Sequence, residues 1–118
     1  MKLKVCGMRY EDNIQLIASI HPDYMGFIFF EGSSRHVSAS TPTLPLTIKK
    51  VGVFVNASYD SIVEKINTHN LQAVQLHGEE TAEFCKSLRA LNVEIIKVFS
   101  IENEFNFDEL THYETVCD

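Results

Sequence analysis

The stretch VGVFV at residues 51–55 is an apolar run with the length of a buried strand. Downstream of it, Ile62 and Ile66 stand at helical spacing, and a second short apolar run begins at Ala73. Ser58, a residue type that caps helix N-termini, precedes the helical stretch. Residues 51–76 are therefore predicted to form a strand, a helix and a second strand parallel to the first.

The same alternation runs along the whole chain. Six apolar runs begin near residues 3, 24, 50, 73, 93 and 116, so the unit repeats every 20 to 26 residues. Helical spacing separates the runs in the first unit, at 14, 16, 17 and 20, and in the fourth, at 84, 88 and 91. The second unit differs, because Gly32–Lys49 contains Pro42 and Pro45 and predicts a loop or at most one helical turn. The repeat predicts an α/β fold with a parallel sheet.

Two folds of this class fit the repeat. A five-strand flavodoxin-like sheet needs about 120 residues, and a (β/α)8 barrel needs about 200 or more. The length of 118 residues favours the first, whereas eight units of about 23 residues would need roughly 180 and favour the second. We interpret residues 1–118 as a single domain, the N-terminal part of a (β/α)8 barrel, with five units and the start of strand six at Val116–Cys117.

Charge and composition exclude several classes of protein. The 10 Lys and Arg against 16 Asp and Glu give a formal charge of -6, which argues against nucleic acid or an anionic membrane as partner. The longest apolar stretch, Tyr24–Phe30, is far shorter than the roughly 20 residues that span a bilayer, and we expect a cytoplasmic protein. Cys6, Cys85 and Cys117 lack Cys-x-x-Cys spacing, so we expect neither a disulfide framework nor a metal site. We interpret the last two as packing thiols.

Cys6 ends the first predicted strand and Arg35 follows the second, at the edge where parallel βα folds bind ligands. Cys6 shares a strand face with Lys4, and its thiol is either a nucleophile or general base, or a small buried residue. Arg35 stands in a Gly/Ser loop, where its planar guanidinium suits a carboxylate or phosphate, with a solvated loop arginine as the alternative.

Gln75 and His77 end the fourth predicted strand and alternate with Val74 and Leu76. Two polar side chains on one strand face are unfavourable in a packed core, so we predict that they face a polar interior while Val74 and Leu76 face the helices. The alternative for His77 is a hydrogen-bonded histidine within the core.

Five segments carry a more specific pattern, in order and at matching intervals: Lys4–Met8, Met25–Phe29, Ser33–Ser38, Lys49–Asn56 and Val74–Glu79. Together they resemble the phosphoribosylanthranilate isomerase family, (β/α)8 enzymes of tryptophan biosynthesis. The resemblance implies an Amadori rearrangement of a small phosphosugar, N-(5-phosphoribosyl)anthranilate, to 1-(2-carboxyphenylamino)-1-deoxyribulose 5-phosphate, with no cofactor. It implies that Cys6 is the general base, that Arg35 binds the anthranilate carboxylate, and that His77 lies beside the sugar. We add Gln75 as a substrate-binding residue.

The general acid is the main departure from this pattern. In the family it is an aspartate at the end of strand six, whereas Asp118 would open that strand. The phosphate site, formed by loops after strands seven and eight, is absent as well. We therefore expect this chain to be inactive alone, and to associate through open strand edges or belong to a longer protein. The alternatives are another phosphosugar-handling barrel enzyme or a non-catalytic five-unit binding module.

Overall fold

The computed structural model describes residues 1–102 and 104–118, and its centre is one parallel sheet. The five strands are β1 (Lys4–Val5), β2 (Tyr24–Ile28), β3 (Lys49–Phe54), β4 (Ala73–Leu76) and β5 (Glu94–Lys97). They lie in the order β1-β2-β3-β4-β5, so each strand pairs with its successor in the chain. A flavodoxin-like sheet would place its second strand at the edge and its first strand inside. The sequential order excludes that fold and confirms the order expected for a (β/α)8 barrel.

Three α-helices cover one face of the sheet: α1 (Glu11–Ala18), α2 (Tyr59–His69) and α3 (Ala82–Leu88). Side chains cap two of them, because Ser58 Oγ accepts from the Ser61 N–H at 3.2 Å and Thr81 Oγ1 accepts from the Phe84 N–H at 3.1 Å. A 3₁₀ turn extends α3 to Leu91. Within the described residues, no helix has the length and apolarity needed to cross a membrane.

A loop covers β2 where the repeat would place a helix. Residues 29–48 contain no helix, as predicted from the two prolines. The loop is anchored at two points, since the Val37 N–H donates to the Ile28 carbonyl at 2.9 Å and Ile48 is 3% exposed. Val37 and Ile48 pack with Met25 and Phe27 of β2 in one apolar cluster. The loop therefore protects the outer face of β2 without a helix.

The sheet curves around the face that carries no helices. Lys4 Nζ of β1 donates to Gln75 Oε1 of β4, and the Tyr24 hydroxyl of β2 donates to Glu94 Oε1 of β5 at 2.8 Å. Each pair lies three strands apart, which is about 14 Å in a flat sheet. These contacts define the concave face, which is the interior surface of a barrel wall.

The opposite face of the sheet holds the largest apolar core. Val74 and Leu76 are fully buried there against Ile62 of α2 and against Cys85 and Leu88 of α3. The prediction that Val74 and Leu76 face the helices is confirmed.

Strand six is not formed at Val116–Cys117, so that prediction is wrong. The N–H groups of Val116 and Cys117 both donate to the Tyr113 carbonyl, at 3.1 and 2.9 Å, which closes a turn. A 3₁₀ helix at Phe107–His112 precedes this turn. Asp118 is the first residue to reach β5, where its N–H donates to the Ile95 carbonyl at 2.7 Å.

Because the Cys85 thiol is buried, we expect the folded chain to become less stable at alkaline pH. Burial raises the pKa of Cys85 from its ordinary 9.0 to about 12, and the neighbouring Cys117 adds to the shift. Above pH 9 the Cys85 thiol loses its proton in the unfolded chain but keeps it in the folded chain. Deprotonation therefore favours the unfolded chain between about pH 9 and 12. We expect the free energy of unfolding to fall over this range, and to fall less steeply in Cys85→Ala.

Urea unfolding at a series of pH values measures both slopes. Cys85→Ala should also lower stability at pH 7, by about 1 kcal/mol. Cys6→Ala is the matched control and should keep the full slope, because Cys6 is exposed. Equal slopes for Cys85→Ala and the unchanged chain would contradict this account.

Candidate functional site

Arg35 lies against Gly7, the residue that follows Cys6, at the C-terminal edge of the sheet. Gly7 has a φ of +76°, and a Cβ on it would lie 2.3 Å from Arg35 Nη1 and 2.8 Å from Arg35 Cζ. The guanidinium group therefore rests on the backbone of the residue that follows Cys6. A second contact joins the same two loops, because Arg9 Nη1 donates to the Ser34 carbonyl at 3.0 Å.

Cys6 is exposed on the concave face, which excludes the small buried residue as its interpretation. It lies over Gly26 of β2, where an added Cβ would stand 2.9 Å from Cys6 Sγ and 3.3 Å from Lys4 Nζ. The missing side chain at Gly26 thus leaves room for the thiol and for the lysine ammonium group on one surface. No other residue type fits there without moving one of them.

Gln75 lies on this same face, and its side-chain oxygen is bound by Lys4 Nζ. His77 follows β4 at the rim and is exposed, so it is not a histidine within the core. The His77 N–H donates to the Phe54 carbonyl at 2.9 Å, which continues the pairing of β3 with β4 by one residue. The structure thus brings Cys6, Gln75 and His77 to one curved surface.

A buried ion pair supports the rim, and the sequence analysis did not find it. Glu80 and Lys97 approach to 3.3 Å, and their side chains are 3% and 4% exposed. Glu80 accepts from the N–H groups of Asn56 and Gly78, each at 2.9 Å, and Lys97 Nζ donates to the Gly78 carbonyl at 2.7 Å. The signal in the sequence was a single lysine at the end of an apolar strand, which does not reveal its partner.

Asp118 lies at the opposite end of the sheet from Cys6. Its Oδ2 accepts from the Ile95 N–H at 2.9 Å, near the start of β5, and its Oδ1 lies 3.6 Å from Arg89 Nη1. Cys6 follows the end of β1. Because the strands are parallel, the two residues lie at opposite ends of the strands.

Residues 1–102 and 104–118 hold no group of three or more His, Cys, Asp or Glu side chains that could bind a metal ion. The polar side chains nearest to Cys6 on the concave face are the Lys4 amine and the Gln75 amide, with the Arg35 guanidinium at the rim. Such a set can bind an anion and exchange a proton.

Comparison with known proteins gives the site a family context. The sequence model of the family described as PRAI, N-(5'phosphoribosyl)anthranilate (PRA) isomerase, matches residues 3–118. An N-(5'-phosphoribosyl)anthranilate isomerase from Phocaeicola vulgatus is 46% identical over 118 residues, covering 100% of this chain and 58% of the relative. One from Parabacteroides distasonis is 41% identical, covering 97% of this chain and 54% of the relative. The chain thus spans little more than half the length of these relatives.

Solved structures show the same fold. Phosphoribosyl anthranilate isomerase from Thermotoga maritima superposes with a TM-score of 0.82 at 28% identity, covering 98% of this chain and 58% of that one. A phosphoribosyl anthranilate isomerase in complex with reduced 1-(o-carboxyphenylamino)-1-deoxyribulose 5-phosphate gives 0.83 at 30% identity, covering 98% and 61%. The sequential parallel sheet, the match over residues 3–118 and these relatives lead to one conclusion: the chain belongs to the N-(5'-phosphoribosyl)anthranilate isomerase family.

Proposed function

We propose that the whole protein is an isomerase that converts N-(5'-phosphoribosyl)anthranilate into 1-(2-carboxyphenylamino)-1-deoxyribulose 5-phosphate. The observation that supports this proposal is the contact of Arg35 with Gly7, the residue that follows the exposed Cys6 in the chain. An aminobenzoate substrate presents a carboxylate to Arg35 and a sugar carbon to Cys6. Membership of the family adds independent support.

Arg35 binds the anthranilate carboxylate in this proposal. Its guanidinium lies against the Gly7 backbone, and the backbone N–H of Arg35 donates to Ser33 Oγ at 3.2 Å within the loop. A planar fork with a fixed base suits two parallel hydrogen bonds to a carboxylate. The aromatic ring of the substrate would then lie over the C-terminal end of β1.

Cys6 acts as the general base. Once the furanose ring has opened to a protonated Schiff base, removal of the C2 proton gives an enaminol. Protonation at C1 and loss of the proton on the C2 hydroxyl then give the ketose. The reaction is an isomerisation, so it needs no oxidant, reductant or other co-reactant. The thiolate of Cys6 takes the C2 proton, and its exposed place over Gly26 gives it access to a ligand on the concave face.

Gln75 and His77 bind the sugar. Lys4 already occupies Gln75 Oε1, which leaves the amide NH2 group of Gln75 free to donate to a substrate hydroxyl. His77 lies two residues further along the chain, just beyond the end of β4 at the rim. The two are thus placed for a ligand that reaches from the rim toward the middle of the sheet.

Ring opening also needs a general acid, and the position of Asp118 at the other end of the sheet argues against it for this role. We propose that a carboxylic acid from another segment stands at the C-terminal edge and protonates the ring oxygen. This chain alone is then expected to show no turnover.

A chimera tests the proposed function. Residues 1–118 are joined to the part of the Phocaeicola vulgatus relative that the match leaves uncovered, and consumption of N-(5'-phosphoribosyl)anthranilate is followed by chromatography. We expect turnover by the chimera, with the unmodified relative as the positive control and this chain as the negative one. A chimera that folds but does not turn over the substrate would favour a non-catalytic module instead.

Arg35→Lys tests the binding of the carboxylate. Lysine keeps the charge but loses the paired donors, so we expect the KM of the chimera to rise about 10-fold with a smaller change in kcat. Arg89→Lys, at the opposite end of the sheet beside Asp118, is the matched control and should leave both constants unchanged. If Arg35→Lys kept wild-type kinetics, Arg35 would not be the residue that binds the carboxylate.

A further inference from the structure

The buried ion pair of Glu80 and Lys97 binds the backbone of Gly78, the residue that follows His77. The Gly78 N–H donates to Glu80 Oε2 at 2.9 Å, and the Gly78 carbonyl accepts from Lys97 Nζ at 2.7 Å. Both polar backbone groups of Gly78 are therefore bound by charged side chains that are almost fully buried. Hydrogen bonds to charged groups are stronger than those between neutral groups.

The same pair reaches the end of the neighbouring strand. Glu80 Oε1 accepts from the Asn56 N–H at 2.9 Å, and Asn56 Oδ1 accepts from the Glu79 N–H at 2.8 Å. Lys97 Nζ also donates to the Val98 carbonyl at 2.8 Å. One carboxylate and one ammonium group thus tie together the C-terminal ends of β3, β4 and β5.

His77 depends on this arrangement for its position. Within the described part of the chain, its ring makes no hydrogen bond, and the residue is exposed. Its place is therefore set by its own backbone, which is held on one side by the Phe54 carbonyl and on the other by Gly78. A shift of Gly78 would move the imidazole over the concave face.

A buried ion pair is weak evidence for stability, because the cost of removing two charges from water often cancels their attraction. The ion pair is better explained by the position that it gives to the backbone. The Glu80 carboxylate and the Lys97 ammonium group each bind backbone groups at the rim as well as each other. We propose that Glu80 and Lys97 are positioning residues, which hold His77 in the place where the substrate sugar binds. This inference rests on the proposed function.

Three variants separate positioning from stability. Glu80→Gln keeps the shape of the side chain but leaves Lys97 buried without its partner, so it should also destabilise the protein. Lys97→Met removes the donor to the Gly78 carbonyl. The double variant Glu80→Gln/Lys97→Met removes the unpaired charge and should recover most of the lost stability. The matched control is Glu94→Gln, which breaks the ion pair with Lys49 at the other end of the sheet.

Two readouts on this chain do not depend on turnover: hydrogen exchange of the Gly78 amide and the NMR resonances of the His77 ring. In the double variant we expect Gly78 exchange to accelerate about 10-fold or more and the His77 resonances to move, even though the unfolding free energy recovers. In the chimera we expect kcat to fall about 10-fold with KM changed less than about threefold, because Arg35 still binds the carboxylate.

Wild-type exchange at Gly78 and unmoved His77 resonances in the double variant would overturn the proposal, as would a double variant with both its stability and its kcat restored. If instead the chimera shows no activity before any substitution, the proposed function fails. The exchange and NMR results still decide whether the pair positions His77.

Discussion

Replacing Cys6 by serine is expected to lower the kcat of the chimera about 100-fold or more, the usual loss when a positioned base is removed. A hydroxyl gives up its proton far less readily than a thiol, so the serine oxygen cannot take the C2 proton at a comparable rate. The side chain is exposed on the concave face, and we expect the free energy of unfolding to change by less than about 0.5 kcal/mol.

Initial rates at saturating substrate, with urea unfolding on the same preparation, measure both quantities. Cys117→Ser is the matched control, because Cys117 lies beside Cys85 and the start of β5 rather than over Gly26, and its variant should keep the wild-type kcat. A Cys6→Ser chimera within a few-fold of wild-type turnover would assign the base to another residue.

Gly7→Ala is expected to weaken substrate binding strongly. The φ of +76° is unfavourable for alanine, and its methyl group would stand 2.3 Å from Arg35 Nη1. The loop must either move the guanidinium or change the backbone that follows Cys6, so both halves of the site are disturbed. We expect kcat/KM of the chimera to fall about 100-fold, and stability to fall by about 1–2 kcal/mol from backbone strain.

Gly32→Ala is the matched control, in the same loop as Arg35. The three atoms nearest to a Cβ at Gly32 all belong to the ring of Phe30, a side chain that is 40% exposed and can turn into solvent. This variant should keep kcat/KM within about threefold. Similar losses in the two glycine variants would mean that the loop as a whole, rather than the contact of Gly7 with Arg35, governs binding.

The repeat of apolar runs predicted the five strands well, because burial on both faces requires such runs wherever a strand lies inside a barrel wall. It failed at Val116–Cys117, where two apolar residues resemble a strand but their N–H groups close a turn on Tyr113. Helical spacing also included Leu16 and Ile20, which are 67% and 59% exposed. Spacing alone does not show which apolar side of a short helix meets the sheet.

From the sequence, the site could be predicted only as a set of residues near the C-terminal ends of strands. Alternation placed Cys6 with Lys4 on one face of the first strand and Gln75 with His77 on one face of the fourth. The structure joins these two faces through the contact of Lys4 with Gln75. The contact of Arg35 with Gly7 was beyond reach, because it depends on how two loops fold over each other. The partnership of Glu80 with Lys97 was hidden for the same reason, since the two residues belong to different strand ends and meet only when β4 and β5 pair.

The loop between β2 and β3 offers a place to change the outer layer of the fold without touching the proposed site. Val37 and Ile48 anchor the second half of the loop, and Leu46 between them lies fully in solvent. Thr41 is a third fixed point, because its hydroxyl accepts from the buried ammonium group of Lys50 at 3.1 Å. Arg35 lies before all three of these residues. The exposed turn around Leu46 is therefore the natural position for a fused peptide or for new chain ends.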